Sequence, residues 1–330
     1  MKIGMIGCGH IGHRRGKELG SNHLVGVTDT NPENAKALAS ELGCEFFLRT
    51  EDLLKTDIDV AIIAVPHREL YPTAVQALEA GKNILLEKPG AIRVSELDSL
   101  RELSEKLKLK IKVGFNHRFH PALLKAKAVC DSGKLGPLLF MRARYGHGAR
   151  IGYEKEWRCQ PEISGGGELL DQGVHLLDLI YWFLGPLPLQ SSYLTTSFWD
   201  TPVEDNAVVT CASKDRWGTF HVSFSEWKNL FSMEIYGENG KITIDGLGRS
   251  YGKETLKVYE MLPEMGPPNQ ETFEFEDHEN ESWRLDLQNL IDHIEKGTPL
   301  LGDLNSARYA LECVRGAYQA NGYTHLPCSV

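Results

Sequence analysis

The chain opens with a short apolar run, Lys2–Ile6, that breaks into Gly7-Cys8-Gly9-His10-Ile11-Gly12 and continues as a helix-like segment, Ile11–Leu19. No other feature narrows the fold as much. Strand, glycine-rich turn and helix in that order make the first half of a βαβ unit. The alternation then repeats. Apolar runs at Leu24–Thr28, Val60–Val65, Asn83–Leu86 and Lys110–Phe115 are separated by helix-like segments at Pro32–Leu42, Glu69–Ala80 and Ser95–Leu107. Pro32 suits a first helical turn, and Ser95 with Asp98 three residues later resembles a capping signal. Such alternation predicts a parallel, doubly wound sheet with helices on both faces.

After about residue 117 the pattern changes. A helix is predicted at Pro121–Cys130, then a strand near Leu138–Tyr145. Gly165-Gly166-Gly167 opens a strongly apolar helix, Glu168–Leu184. From Ser191 to about Phe275 the chain reads as successive strands, with Asn239-Gly240 as the turn between Phe231–Tyr236 and Lys241–Asp245. Met261–Glu271, rich in proline, reads as a loop, and two amphipathic helices follow near Ser282–Lys296 and Asn305–Asn321. The expected organisation is therefore an α/β Rossmann domain over 1–117 and an α+β domain over 118–330 with a large, mostly antiparallel open sheet.

The glycines carry the first chemistry. Gly7 allows a tight turn, Gly9 lets a pyrophosphate approach the backbone, and Gly12 lets helix and sheet pack closely. The amides around His10 and Ile11 then face the phosphates at the helix N-terminus. The second strand ends at Asp29, 20 residues past Gly9. A carboxylate there accepts from ribose hydroxyls and repels a 2′-phosphate, so NAD is expected over NADP. Arg14, Arg15 and Thr30 leave room for a phosphate reading, and Asp29 serves equally as a helix cap ahead of Pro32. With strand, glycines, helix and acid in order, dinucleotide binding is the expected role.

Composition closes other routes. A net charge of −9 argues against non-specific binding to nucleic acid or anionic membrane. The seven cysteines are odd in number and scattered, without a Cys-x-x-Cys pair, which suits free thiols in a reducing cytoplasm. No stretch approaches the ~18 uninterrupted apolar residues of a membrane span.

Two further elements point to a reaction. Leu85-Leu86 runs into Glu87-Lys88-Pro89, where a lysine at the C-terminal end of a parallel strand would point toward the ligand crevice or, alternatively, is a surface lysine at a strand end. On the apolar helix, Asp171 and His175 stand four apart and share a face. They can form a hydrogen bond that fills the core, a metal-ligand pair for which no third and fourth ligand has supporting spacing, or a general base beside an orienting acid.

Taken together, the N-terminal glycines, Ala64-Val65-Pro66, Glu87-Lys88-Pro89, Gly114-Phe115-Asn116-His117-Arg118-Phe119 and Gly-Gly-Gly-x-Leu-x-Asp-x-Gly-x-His resemble the glucose–fructose oxidoreductase / inositol dehydrogenase / MocA family over nearly the whole chain. The resemblance implies pyridine-nucleotide dehydrogenases acting mostly on sugars, cyclitols or nucleotide sugars. It implies Lys88 as the catalytic lysine, with Asp171 and His175 as acid and base. Val65, Pro66, Glu87, Lys88 and Asn116 then line the nicotinamide side, and Trp157 and Arg158 enter the substrate site. Arg118, Trp157 and Arg158 can hold hydroxyls, a carboxylate or a phosphate; each also has an ordinary packing or salt-bridge role. Gly90 and Ala91 depart slightly from the commoner family pattern.

The expected reaction is NAD-dependent oxidation of a secondary hydroxyl, or the reverse ketone reduction, with no metal. The alternatives are redox-assisted glycoside cleavage with retained NAD, and a non-catalytic NAD(P)-sensing regulator, which the presence of both Lys88 and His175 disfavours. A homo-oligomer, dimer or tetramer, is expected if a broad sheet carrying Phe220, Phe224, Trp227 and Phe231 needs cover on its second face; the alternative is that these residues form the domain's own core.

Overall fold

Consecutive rather than alternating apolar residues mark a strand buried on both faces. β1 (Lys2–Ile6), β4 (Val60–Ile63) and β5 (Asn83–Leu86) have this character, with Ile3, Met5, Ile62, Ile63 and Leu85 completely buried. In the computed structural model, which describes residues 1–276 and 281–330, they form a parallel six-stranded sheet with β2 (His23–Thr28), β3 (Glu45–Phe47) and β6 (Ile111–Val113). The strand order is β3-β2-β1-β4-β5-β6, so the chain direction across the sheet reverses between β1 and β4. Ligands of open α/β sheets sit outside the strand ends at such a reversal.

Helices α1 (His10–Lys17), α2 (Pro32–Leu42), α3 (Thr50–Leu54), α4 (His67–Glu79) and α5 (Val94–Leu107) connect these strands. The Ser95 capping signal is displaced: α5 begins at Val94, and the Glu96 carboxylate accepts from the Ile92 and Arg93 amides. β3 and α3 had no counterpart in the sequence pattern.

The chain forms two units, Met1–Asn116 with Asn280–Arg308, and His117–Glu279 with Tyr309–Val330. The segment after 280 therefore returns to the first unit instead of staying in one stretch from 118 to 330. The cause is apolar: Leu287, Leu290 and Ile291 of α9 (Glu281–Lys296) complete the core formed by Ile3, Met5, Val27, Val60 and Leu85.

In the second unit, α6 (Pro121–Asp131) precedes an eight-stranded sheet ordered β14-β13-β12-β11-β7-β10-β9-β8. Its strands are β7 (Leu138–Gly146), β8 (Leu189–Thr195), β9 (Asn206–Ala212), β10 (Trp217–Ser223), β11 (Leu230–Gly237), β12 (Gly240–Asp245), β13 (Thr255–Glu260) and β14 (Asn269–Glu274). All pairings are antiparallel except β7 with β10. β14 forms within and beyond the segment read as a loop, and the β11–β12 register pairs Gly237 with Gly240, so Glu238-Asn239 occupies the turn instead of Asn239-Gly240.

The apolar helix is not uniform. It starts as a π-helical turn, Leu169–Gly173, and continues as α8 (Val174–Leu184), with the short α7 (Pro161–Ser164) ahead of it. α10 (Leu304–Ala320) closes the fold. Phe220, Phe224 and Phe231 belong to the unit's own core, each at most 2% exposed, while Trp227 is 66% exposed. The other sheet face carries Phe140, whose ring stacks on Trp217 and Tyr236 at 4.4 and 4.2 Å. Among the described residues no helix is long and apolar enough to cross a membrane.

Candidate active site

The glycine loop shows why each position lacks a side chain. Gly7 has φ +97°, and a Cβ there would lie 2.3 Å from the Ala64 carbonyl oxygen. A Cβ on Gly12 would lie 2.1 Å from the Gly7 carbonyl oxygen. Gly9 is different: it is exposed, its backbone is extended, and a Cβ would meet nothing within 4 Å. The open space at Gly9, at the N-terminus of α1, is a cradle into which a diphosphate fits. His10 is exposed beside it and Ile11 half-buried.

Asp29 closes the loop from the neighbouring strand. Its Oδ2 accepts from the Cys8 amide at 2.7 Å and its Oδ1 from the Asn31 amide at 2.8 Å. Asn31, not Asp29, caps α2, accepting from the Glu33 amide. The acid is thus fixed at the end of β2, half-buried, with Thr30 exposed next to it. These groups suit the ribose and pyrophosphate of a dinucleotide.

Beneath the loop lies a network the sequence did not disclose. Arg15 of α1 is 2% exposed. Its guanidinium donates to Glu87 Oε1 through Nε at 2.7 Å and to Asp286 Oδ2 through Nη1 at 2.7 Å. Lys112 of β6 lies 3.2 Å from the other Asp286 oxygen and donates to the Leu301 carbonyl. The Trp283 ring lies 4.6 Å from the Arg15 guanidinium carbon. Two cations face two carboxylates, so the cluster balances its charge where an unpaired ion would be costly. Burial pushes the Glu87 carboxyl up, and Arg15 opposes that shift. Glu87 is therefore held inward, and Lys88 follows it in the turn closed by the Gly90 amide on the Glu87 carbonyl. Val65, Pro66 and Lys88 are half-buried, and Asn116 is buried with its amide donating to Ser282 Oγ at 3.1 Å.

In the second unit, Asp171 and His175 are 5% and 3% exposed. The Asp171 carboxylate accepts from Arg158 Nε at 3.1 Å, and the Arg158 guanidinium lies 4.6 Å from the Trp157 ring centroid. Arg158, Trp157 and Asp171 are thus brought together. His175 stacks on His117, with centroids 3.8 Å apart and planes 23° from parallel. Tyr145 stands edge-on to both rings at 5.1 and 6.4 Å. His117 has no assigned role in the sequence pattern, where its only signal is its place in Gly114–Phe119. Arg118 differs from the substrate-facing expectation. It is 4% exposed and forks onto Asp178 at 2.8 and 2.6 Å, against the Trp182 ring. Among the described residues no group of three or more His, Cys, Asp or Glu is placed to hold a metal ion.

Asp171 and His175 thus place a carboxylate and an imidazole, the side chains of general acid–base chemistry, in a buried, aromatic-lined site. Comparison with known proteins identifies the setting. Residues 1–115 match the model described as the oxidoreductase family, NAD-binding Rossmann fold, and residues 123–243 match the GFO/IDH/MocA C-terminal domain. Glucose-6-phosphate 3-dehydrogenase of Bacillus subtilis (strain 168) is 29% identical over 201 residues, which is 59% of this chain and 56% of that protein. Inositol 2-dehydrogenase of Rhizobium meliloti (strain 1021) is 27% identical over 62% of this chain and 61% of its own length. The chain thus spans less than two thirds of either relative. A levoglucosan dehydrogenase solved in complex with NADH and L-sorbose has the same fold, with a TM-score of 0.87, 20% identity and 97% of both chains covered. So does UDP-N-acetylglucosamine 3-dehydrogenase GnnA from Acidithiobacillus ferrooxidans, at a TM-score of 0.81, 21% identity and 98% coverage of both. With both domain models matched, the chain belongs to the GFO/IDH/MocA oxidoreductase family, and its first 115 residues are that family's NAD-binding Rossmann domain.

Proposed function

We propose that the protein is an NAD-dependent dehydrogenase that oxidises a secondary hydroxyl of a sugar, cyclitol or nucleotide sugar, or reduces the matching ketone, with Lys88, Asp171 and His175 as its catalytic group. The observation that carries this reading is the burial of an acid and an imidazole on the most apolar helical segment of the chain. Polar groups in such a place are costly unless they are paired or used.

Gly7, Gly9, His10, Ile11 and Gly12 hold the pyrophosphate, and Asp29 and Thr30 the adenosine ribose. Val65, Pro66 and Lys88 face the nicotinamide, while Glu87 and Asn116 support that shelf from within the unit. The bound nicotinamide supplies hydride chemistry. His175 takes the hydroxyl proton. The Lys88 ammonium stabilises the negative charge that grows on oxygen as the C–H bond breaks. Asp171, held by Arg158, orients the hydroxyl, and the Trp157 face suits the C–H surface of a sugar ring. Arg118, committed to Asp178, is assigned to architecture. The aromatic face around Phe140, Trp217 and Tyr236 is the surface through which we expect copies of the chain to associate.

The test is a screen of purified protein with NAD and with NADP against sugars, cyclitols and nucleotide sugars, followed by reduced-cofactor absorbance. Reduction of NAD by at least one such alcohol is expected. Glycoside cleavage without net NADH, or a response to NADP alone, would overturn the reading.

A further inference from the structure

The π-helical turn that carries Asp171 is held at its start from another part of the unit. The Glu168 amide donates to the backbone oxygen of Glu204 at 3.1 Å, and the Leu169 amide to Glu204 Oε1 at 2.9 Å. The Tyr318 hydroxyl of α10 donates to the same Oε1 at 2.9 Å and accepts from the Gly167 amide at 3.0 Å. Three successive amides at a helix start, which ordinarily lack partners within the helix, thus converge on one residue and its tyrosine. The fit is close: a Cβ on Gly167 would lie 2.3 Å from the Glu204 carbonyl oxygen and 2.6 Å from its Oε2. Glu204 is completely buried, and Oε2 has no hydrogen-bond partner among the described residues.

We propose that Glu204 is a positioning residue for the Asp171/His175 pair: its neutral carboxyl clamps the segment that presents them, and its ionisation loosens that clamp. The inference rests on the reading of Asp171 and His175 given above. In the neutral acid, the carbonyl oxygen accepts from Leu169 and Tyr318 while the proton sits on Oε2, the atom without a partner. In the ionised form a charge is left in a site without water access, and the yielding element beside it is the π turn. π turns are inherently local departures from α-helix and recur at functional sites.

Burial places the titration in a useful range. It pushes the Glu204 carboxyl up to about 7, against the opposing hydrogen bonds from the Leu169 amide, its own amide, the Tyr318 hydroxyl and the Gly167 amide. The titratable group bonded to it is Tyr318 on α10, on which Cys328 of the C-terminal segment also acts; Glu168 meets Glu204 through its amide, and its carboxylate lies 3.8 Å from His147. On its own strand approach stands Asp205, engaged by the amides of Ser197, Phe198 and Trp199.

The test uses the full chain, wild type and Glu204→Gln, which keeps an acceptor oxygen and mimics the neutral acid. Hydrogen exchange of the segment 165–176, corrected for intrinsic rate, is measured at pH 6 and pH 8.5 without cofactor. Wild-type protection is expected to fall ~10-fold over this interval and variant protection to stay level within ~2-fold. Identical pH dependence in the two chains would overturn the proposal. Tyr318→Phe removes one donor to the carboxylate, so its transition should move to higher pH; an unmoved transition would count against the clamp. In turnover with the best alcohol from the screen, wild-type kcat should show a falling limb near pH 7, absent in Glu204→Gln, with KM changed less than ~2-fold. A shared kcat profile alongside distinct exchange would overturn the link to catalysis. His175→Ala run in parallel separates the two readings: wild-type turnover in that variant defeats the assignment of the pair, whereas the exchange comparison judges the clamp alone.

Discussion

Gly9 and Gly12 sit three residues apart in one motif, yet their replacement by alanine should fail in opposite ways. At Gly12 the new methyl would lie 2.1 Å from the Gly7 carbonyl oxygen, a backbone atom that cannot swing aside. Alanine gains ~1 kcal/mol over glycine inside a helix. The overlap costs ~3 kcal/mol or more, because strand β1 and helix α1 must separate to relieve it. The net loss of ~2 kcal/mol lowers Tm by ~4–8 °C for a unit of this size. At Gly9 the backbone is extended, φ −76°, and the methyl meets no protein atom. The stability change there is limited to a helix-cap effect of ~1 kcal/mol or less. The methyl instead occupies the space assigned to the diphosphate, so NAD affinity should fall ~10–100-fold, about 1.4–2.8 kcal/mol. Thermal melting paired with calorimetric titration of NAD separates the outcomes. A Gly9→Ala chain that binds NAD like wild type would refute the cradle, and a Gly12→Ala chain that melts like wild type would refute the packing argument.

Arg15→Met removes the cation shared by Glu87 and Asp286 and should cost ~3–5 kcal/mol in denaturant unfolding. Because burial raises the Glu87 carboxyl, this loss should grow as pH rises through its titration and be smaller at pH 5 than at pH 8; equal losses at both would contradict the assignment. Asp29→Ala releases the Cys8 amide and removes the charge that repels a 2′-phosphate. Its NAD affinity should fall ~10-fold and the NAD/NADP ratio narrow, measured by titration with both cofactors.

The first sheet was legible because its signals are local: a glycine motif next to a strand, and apolar runs at strand spacing. β3 (Glu45–Phe47) escaped because three residues with largely exposed side chains leave no period to detect. The return of α9 escaped for another reason. Its amphipathic pattern says that one face is buried, not against what, and the Arg15–Asp286 pair joins residues 271 positions apart. The same limit governs the site. Lys88, Asp171 and His175 stand in recognisable strings, but the stacking of His117 on His175 and the Leu169 amide's hydrogen bond to Glu204 are tertiary facts. Arg118 shows the converse: its string left substrate binding and a salt bridge both open, and only the fold supplies Asp178, 60 residues away.

Hydride transfer in a single turnover, with NAD affinity measured on the same samples, tests the central claim most directly. For wild type, Lys88→Ala and His175→Ala, the rise of NADH absorbance on mixing with the responding alcohol gives the chemical step. Loss of ~10²-fold or more in both variants, with NAD affinity unchanged, is the expected result. Wild-type rates in either variant would contradict the assignment of that residue to the reaction.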